Sequence, residues 1–336
     1  MSGRDRTADG PADVAPGPAA HGEPLPDLAG LSHFALLYGG RGQDLGWAMA
    51  MLRQAAESKA PLQIAVPGAT MRLVREALRP MPRTAFLADM TDLGRNPARL
   101  IPAALAFGDQ HAGEHVCCLW EPAWPARSAA ELREVTRHEA LCNLAFSGRE
   151  MTIVCLYDTS RLSSEVISDA ERTHPMVVSS GCQRASASYL GPGQLPAGCD
   201  DPFPQPAHDA AFVTFDGHLG PVREFSAGQA RAAGLESARA RDLVLAVSEL
   251  AANAIGHAGG GGVVRAWRTA QEMLCQVEDH GHIADPLAGR RRQPADAPGG
   301  HGLWLVNRVC DLVERRTGPA GTITRLHMRL RVPASG

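Results

Sequence analysis

The sequence predicts two domains, an α/β domain with a parallel sheet followed by an α+β sandwich. The chain has 336 residues, and a folded domain usually holds roughly 100–200. Residues 191–206 are rich in Pro, Gly and Asp and are predicted to link a first domain over 31–190 to a second over 207–332. Residues 1–30 contain no Phe, Tyr or Trp. We expect them to form a disordered tail, because they cannot bury enough apolar surface to offset ordering entropy.

In the first domain, short apolar runs alternate with helical patterns. The runs are HFALLYG, LQIAVPG, TAFLADM, EHVCCLW and MTIVCLYD, and a helical pattern follows each of them. Uninterrupted apolar strands are buried on both faces, which is typical of a parallel sheet covered by helices on each side.

The second domain orders its elements differently. A strand, AFVTF, precedes helical stretches at 219–233 and 236–257, and the strands GVVRAWR and MLCQVEDH follow. After a polar loop come a helix over 302–310 and two strands near 311–317 and 321–331. Neighbouring strands that pair, with the helices grouped apart, indicate an α+β sandwich.

The composition excludes several chemistries. Lys59 is the only lysine, and it lies neither after a P-loop glycine turn nor in another catalytic context. The formal net charge of −3 offers no basic surface of the kind that nucleic acid requires. The eight cysteines include no C-x-x-C pair, which indicates reduced thiols and not a disulfide framework. With no apolar run long enough for a membrane span and no apolar leader, we expect a cytoplasmic protein without nucleic-acid or membrane partners.

Four short motifs follow one another in the second domain. ELAANAIGHA carries Glu249, Asn253 and His257 at four-residue spacing on one helix face, and VEDHGHIADP ends a strand in Asp279-His-Gly281. GGHGLWLVNRVCD opens a helix with glycines that let backbone N–H groups approach a phosphate, and GTITRLHM enters the last strand. Taken singly, each motif also fits a feature that binds no ligand, namely a polar stripe on a helix surface, a turn or a capped loop.

Together these motifs resemble the N, G1, G2 and G3 boxes of the GHKL (Bergerat) ATPase superfamily, most closely those of anti-sigma-factor serine/threonine kinases. The resemblance implies ATP and Mg²⁺ as cofactors. It implies that Glu249 is the catalytic base toward an acceptor serine and that Asn253 is the Mg²⁺ ligand. It further implies that Asp279 binds the adenine amine, with Gly281 allowing close approach and Thr322 assisting through its hydroxyl.

The same resemblance implies that Gly300 and Gly302 cradle the triphosphate beneath a lid over 284–299, with His257 at the cofactor site. The lid arginines, Arg290 to Arg292, could clamp phosphates where lysine is missing, or form a solvated charged run. Two positions depart from the family pattern. His282 stands where a second glycine is usual, and His301 stands where a basic residue is often found.

Several phrases of the first domain resemble the MEDS family of sensory domains. They are DMTDLGRNPARLIPA, EPAWPARSAAEL, RHEALCNLAF, CLYDTSRL and THPMV. The resemblance implies an α/β domain that senses an unknown small-molecule ligand. It does not say which ligand.

Chemically interesting side chains also occur in the first domain. Asp158 follows an apolar strand, and α/β folds bind ligands at the carboxyl ends of their strands. His138 and Cys142, four residues apart, could hold a metal with a third ligand from Cys155 or His174. Alternatively, the histidines satisfy buried hydrogen bonds and the cysteines fill apolar space. The full set of candidates also contains His33, Glu139, Asn143 and Tyr157.

The two resemblances imply a signalling regulator. Its ATP-dependent kinase domain would phosphorylate an anti-anti-sigma (STAS) partner, sequester a sigma factor, and respond to the sensory domain. Kinases of this kind are commonly homodimers. Two alternatives stay open: a non-catalytic ATP-binding module that acts by partner exchange, and a sensor histidine kinase. The latter needs a phospho-accepting histidine on a dimerising hairpin, whereas His138 in RHEALCNLAF lies inside the first domain and lacks the usual following proline.

Overall fold

The computed structural model describes residues 30–39, 45–293 and 300–330. Apart from Gly30, the predicted disordered tail lies outside the described residues, and so does the end of the predicted lid, residues 294–299. Among the helices that the structure describes, none is long and apolar enough to cross a membrane.

The elements of the first domain follow the predicted alternation of strand and helix. Two short segments at 90–93 and 97–99 add single helical turns before the third long helix. The elements are β1 (Leu31–Tyr38), α1 (Gly46–Glu57), β2 (Leu62–Val66), α2 (Gly68–Ala77), β3 (Ala85–Asp89), α3 (Met90–Leu93), a 3₁₀ turn (Pro97–Arg99), α4 (Leu100–Gln110), β4 (Val116–Trp120), α5 (Ala129–Ala145), β5 (Met151–Asp158), α6 (Ser164–Thr173), β6 (Met176–Ser179) and β7 (Cys182–Ala185).

These strands form one sheet in the order β3-β2-β4-β5-β1-β6-β7. All neighbours are parallel except β6 and β7, which pair as an antiparallel hairpin at the sheet edge. Strands β2, β4 and β5 are buried along their whole length, and apolar clusters lie on both faces of the sheet. The predicted α/β class with a mostly parallel sheet is confirmed. The antiparallel edge hairpin was not predicted.

The second domain has the predicted α+β architecture. Its strands form an antiparallel sheet in the order β11-β12-β10-β9-β8, and its helices pack with this sheet around a single apolar cluster. Its elements are β8 (Ala211–Asp216), α7 (Gly220–Ala232), α8 (Ser237–His257), β9 (Gly261–Arg268), β10 (Glu272–Asp279), α9 (His301–Val309), β11 (Leu312–Gly318) and β12 (Gly321–Arg329). Each predicted helix or strand boundary lies within a few residues of the observed one, because turn residues and glycines mark the ends of the elements in this domain.

The segment between the domains contains neither helix nor strand over 186–210. It nevertheless contacts both domains. Arg137 of α5 donates to the carbonyl oxygen of Cys199 (2.6 Å), and Arg325 of β12 donates to that of Pro204 (2.8 Å). The two domains also touch directly. The Arg99 guanidinium donates to the carbonyl oxygens of residues 307, 308 and 310 at the C-terminus of α9, where a cation opposes the negative end of the helix dipole.

Candidate nucleotide-binding site

Helix α8 positions the first group of predicted site residues. Its buried side, which includes Leu243, Val247 and Leu250, packs into the domain core. Glu249 and Asn253 are half-buried and His257 is exposed, so the polar series emerges from the core toward solvent. The four-residue spacing therefore presents these three groups along one side of the helix.

The N-terminus of α9 lies against this polar series. Gly300 caps the helix in a left-handed conformation (φ 84°), which favours glycine. A Cβ placed on Gly302 would lie 2.7 Å from Oε2 of Glu249 and 3.5 Å from Nδ2 of Asn253. The missing side chain thus lets the carboxylate and the amide approach a helix N-terminus, where unpaired backbone N–H groups favour anions.

The turn after β10 forms the other end of the site. The Gly281 N–H donates to Oδ1 of Asp279 (2.7 Å), which fixes the carboxylate and leaves Oδ2 as a second acceptor. Burial raises the pKa of Asp279 above its usual value, and the Gly281 N–H partly offsets this. Thr322 pairs with Asp279 across the sheet, and its hydroxyl donates to the carbonyl oxygen of Gly281 (2.8 Å). The Thr322 side chain therefore orients the turn.

A cleft of about 370 Å³ joins these groups. This volume lies within the range of roughly 300–1,000 Å³ usual for small-molecule sites. The predicted residues that line it are Asn253, His257, Asp279, Gly281, Gly300 and Gly302, whereas Glu249 and Thr322 are not among the lining residues. A carboxylate acceptor at one end and a glycine-opened helix N-terminus at the other suit the base and the phosphates of a nucleotide. Asn253, beside that N-terminus, is a suitable oxygen ligand for Mg²⁺.

Of the two histidines that depart from the family pattern, His282 lines this cleft, whereas His301 begins α9 and is not among the lining residues. His282 is exposed, and its Nδ1 lies 3.3 Å from the hydroxyl of Thr317. The Thr317 hydroxyl also lies 2.8 Å from that of Thr322 and accepts from the Ile283 N–H (2.9 Å). A histidine at position 282 therefore takes part in a chain of hydroxyl contacts under the turn, and it does not fill the cleft.

Two residues that shape the site were not predicted from the sequence. Gly321 has a φ of 126°, and a Cβ there would collide with the carbonyl oxygen of Asp279. Thr317 joins the hydroxyl chain described above. The Gly-Thr pair at the start of β12 was noted, but the close approach of Gly321 depends on the register between β10 and β12, which the local pattern does not reveal.

The lid prediction needs a correction. Arg290 does not face the cleft: it is 5% exposed, and its Nη2 lies 2.8 Å from Oε2 of Glu134 on α5 of the first domain. Leu287 of the same segment is buried within the apolar cluster of the first domain. Arg292 lies over the ring of Trp304, 5.6 Å from its centroid. Residues 287–290 of the lid are therefore docked on the first domain, because a charged and an apolar side chain both find buried partners there.

The candidates of the first domain gather in its core. His33 of β1 lies 3.1 Å from both Glu139 and Asn143 of α5, and Cys155 of β5 lies 3.4 Å from Glu139. His174, at the end of α6, lies 3.4 Å from the same carboxylate. Burial, together with His174, lowers the pKa of His33. Burial opposes ionisation of Glu139, but the two histidine rings beside it hold its pKa well below the usual value.

This grouping differs from the predicted one. His138 and Cys142 are close, with Nε2 and Sγ 3.5 Å apart, but Cys155 and His174 join His33 instead. Sheet order explains the difference, since β1 lies directly beside β5. Tyr157 belongs to the same buried core, whereas Asp158 ends β5 at the carboxyl edge of the sheet.

A second buried group at that edge was not anticipated. Glu121, just after β4, accepts hydrogen bonds from the hydroxyls of Tyr38 (3.1 Å) and Thr70 (2.5 Å). Burial raises the pKa of the Glu121 carboxyl. These residues and Asp158 come from β1, β4, β5 and α2, so the carboxyl ends of the parallel strands carry a polar group suited to a small ligand.

Two family models match this chain. The model "MEDS: MEthanogen/methylotroph, DcmR Sensory domain" matches residues 32–175, and the model "Histidine kinase-like ATPase domain" matches residues 214–328. No curated protein matches. Among solved structures, the chain is similar to the RsbU and RsbW domains of Rv1364c from Mycobacterium tuberculosis, with 23% identity and a TM-score of 0.29.

That similarity covers 39% of this chain and 34% of the solved chain, so this protein matches about a third of the length of that relative. The two family models account for both folded halves. The first domain thus matches the MEDS sensory-domain model and the second matches the histidine kinase-like ATPase model, as the motifs of each half predicted.

Proposed function

We propose that this protein is an ATP-dependent serine/threonine kinase of the anti-sigma type, which phosphorylates a STAS partner, sequesters a sigma factor and acts in the cytoplasm. One observation carries the proposal. Glu249 and Asn253 both flank Gly302 at the N-terminus of α9, and the cleft they adjoin reaches Asp279 at its other end. A base, an amide oxygen and an anion site in that order are the parts that phosphoryl transfer needs.

In this proposal each residue has a distinct task. The Asp279 carboxylate accepts a hydrogen bond from the exocyclic amine of adenine. The Gly281 N–H holds that carboxylate in position through a hydrogen bond of its own. Bound Mg²⁺ would neutralise developing charge on the phosphates, and the amide oxygen of Asn253 would hold it there. Glu249 accepts the proton of the acceptor serine hydroxyl, which requires the carboxylate to be ionised.

The proposed control by the sensory domain has a physical route. Residues 287–290 of the lid are held by the first domain through Leu287 and the Arg290–Glu134 ion pair. Asn307 of α9 donates to the carbonyl oxygen of Gly289 (3.1 Å), and Asn96 of the first domain donates to the carbonyl oxygen of Asn307 (3.0 Å). A ligand that moves α5 or the loop at residue 96 would therefore change the lid and α9 together.

The test uses the purified full chain, γ-labelled ATP with Mg²⁺, and a STAS protein from the same genome. We expect acid-stable label on a partner serine, lost in Glu249→Ala and in Asn253→Ala. Glu224→Ala, an exposed carboxylate on the neighbouring helix α7, is the matched control and should retain activity. Binding of ATP without any transfer would instead support the non-catalytic partner-switching module.

The histidine kinase alternative is disfavoured by burial. His138 has no exposed surface, and it lies within the packed helix α5 of the sensory domain. A phospho-accepting histidine must reach the nucleotide and then a response partner. Acid-labile phosphate on His138 would be the result that restores this alternative. The size of the particle in solution tests the homodimer, which we propose from the resemblance alone.

A further inference from the structure

Four metal-binding side chains meet in the core of the sensory domain, away from the nucleotide cleft. They are His33 from β1, Glu139 from α5, Cys155 from β5 and His174 from the end of α6. None of the four has measurable exposure. One donor atom from each lies within 4.8 Å of all the others.

Four of the six separations between these donors lie close to those around a tetrahedral ion. With Zn–N and Zn–O bonds near 2.0–2.1 Å and a Zn–S bond near 2.3 Å, neighbouring donors lie about 3.3–3.6 Å apart. The carboxylate oxygen Oε2 of Glu139 lies 3.1 Å from Nε2 of His33, 3.4 Å from Nε2 of His174 and 3.4 Å from Sγ of Cys155. Nε2 of His33 lies 3.6 Å from the same sulfur.

The outer ring nitrogens of both histidines already have partners. Nδ1 of His174 lies 2.7 Å from the carbonyl oxygen of Ala170, which can only accept, so this nitrogen carries the proton. The amide of Asn143 donates to the carbonyl oxygen of Thr173 (2.8 Å), which leaves its Oδ1 to accept from Nδ1 of His33 (3.1 Å). In a ring that is protonated only at Nδ1, Nε2 presents a lone pair to the carboxylate. Metal-bound histidines are held by outer partners in this way.

Hydrogen bonding alone leaves this cluster incomplete. Oε1 of Glu139 and Nε2 of His174 are buried without a hydrogen-bond partner in the described part of the chain. Buried polar atoms are almost always paired, and a buried carboxylate needs a compensating positive charge. A divalent cation between the four donors would supply that charge and satisfy the facing lone pairs.

We propose that His33, Glu139, Cys155 and His174 bind one Zn²⁺ in a closed tetrahedral site within the sensory domain. The Cys155 thiol releases its proton when the metal binds, so one thiolate and one carboxylate balance the two positive charges. Four protein ligands leave no open position, which is typical of a structural zinc site. Glu139 lies on α5, little more than one turn after Glu134, so the metal fixes the helix that holds the lid.

The nearby group of His138, Glu139 and Cys142 is the competing location. It offers three donors, and its histidine and cysteine come from one helix. The four-donor cluster ties together two strands, α5 and the end of α6, and it completes a tetrahedral set without water. The two locations are separable because they share only Glu139.

The experiment measures metal in the untagged full chain, since a polyhistidine tag would itself bind zinc. The protein is expressed with added Zn²⁺, dialysed against a chelator while folded, and analysed by mass spectrometry for metals. Because the site is fully buried, we expect about one Zn²⁺ per chain to survive dialysis and to leave only on unfolding. Refolding with Co²⁺ should then give the intense absorption of tetrahedral cobalt and a thiolate-to-cobalt charge-transfer band.

Variants locate the site. Cys155→Ser should abolish the charge-transfer band and Glu139→Gln should lower metal content, whereas Cys142→Ser and Cys118→Ser, a buried cysteine on β4, should leave both unchanged. If Cys155→Ser or Glu139→Gln does not fold, the wild-type metal content and cobalt spectrum still decide. A folded wild type that holds no metal and gives no cobalt–thiolate band would overturn the proposal. So would loss of the band in Cys142→Ser with its retention in Cys155→Ser.

Discussion

The ion pair between Arg290 of the lid and Glu134 of the sensory domain allows a quantitative test of lid control. Glu134 is 1% exposed and Arg290 is 5% exposed, and their closest atoms are 2.8 Å apart. We consider Glu134→Gln, Arg290→Met and the double variant. Removing one partner of a buried pair costs about 3–5 kcal/mol, because the other charge is left buried and unpaired.

The two single variants should differ. After Arg290→Met, Glu134 still accepts a hydrogen bond from Nε of Arg137 at 3.1 Å, so we expect a loss of about 1.5–3 kcal/mol. Glu134→Gln leaves both arginines without this carboxylate and should cost about 3–5 kcal/mol. The double variant should recover part of the loss, and we expect a coupling energy of about 1.5–3 kcal/mol.

Urea unfolding of the four proteins measures that coupling energy. The control is the exposed pair Arg149–Asp109, with 2.7 Å between its atoms, which should couple by only about 0.2–1 kcal/mol. A second readout is ATP affinity. Glu134→Gln releases the lid and Arg290 from the first domain and should tighten ATP binding roughly 10–100-fold. This corresponds to about 1.4–2.8 kcal/mol of binding free energy, since each 1.4 kcal/mol changes the dissociation constant about tenfold. Arg290→Met, which lacks the arginine, should gain less.

Coupling of the buried pair no stronger than that of the control pair would refute control of the lid by this contact. An unchanged ATP dissociation constant in Glu134→Gln would refute it as well. The first result would mean that solvent screens the contact between the domains. The second would mean that lid docking and nucleotide binding are independent, even though one loop takes part in both.

Two further predictions concern the ATPase domain. Burial opposes protonation of His327, but hydrogen bonds with Glu272 and Glu314 raise its pKa to about 9. Protonated His327 should therefore stabilise the folded protein by about 2–4 kcal/mol, fully below pH 6.5, and this contribution should be lost as the pH rises through 9. Urea unfolding at several pH values measures it. An equally steep loss of stability with pH in His327→Gln would contradict this prediction. Gly302→Ala places a methyl group 2.7 Å from Glu249 and should weaken ATP binding at least about tenfold by calorimetry. The control Gly228→Ala, in a helix position with no close neighbour, should leave affinity unchanged and add about 0.5–1 kcal/mol of stability.

Much of the fold was predictable because its signals are local. Continuous apolar runs marked the buried strands β2, β4 and β5, and the spacing of Glu249 and Asn253 required only the pitch of one helix. The glycines before α9 identified a helix N-terminus by the same kind of argument. The edge hairpin of β6 and β7 escaped prediction, since two four-residue strands carry too little pattern.

Contacts between distant segments were decided by the tertiary structure alone. Arg290 reads as a phosphate clamp in the sequence, but a partner 156 residues away buries it on the other domain. His33 and Cys155 become neighbours because β1 pairs with β5, although 122 residues separate them. The sequence by itself therefore determined which chemistry each local motif can perform. The packing of strands and domains determined which charges meet, because burial strengthens an electrostatic interaction only where the folded chain brings its partners together.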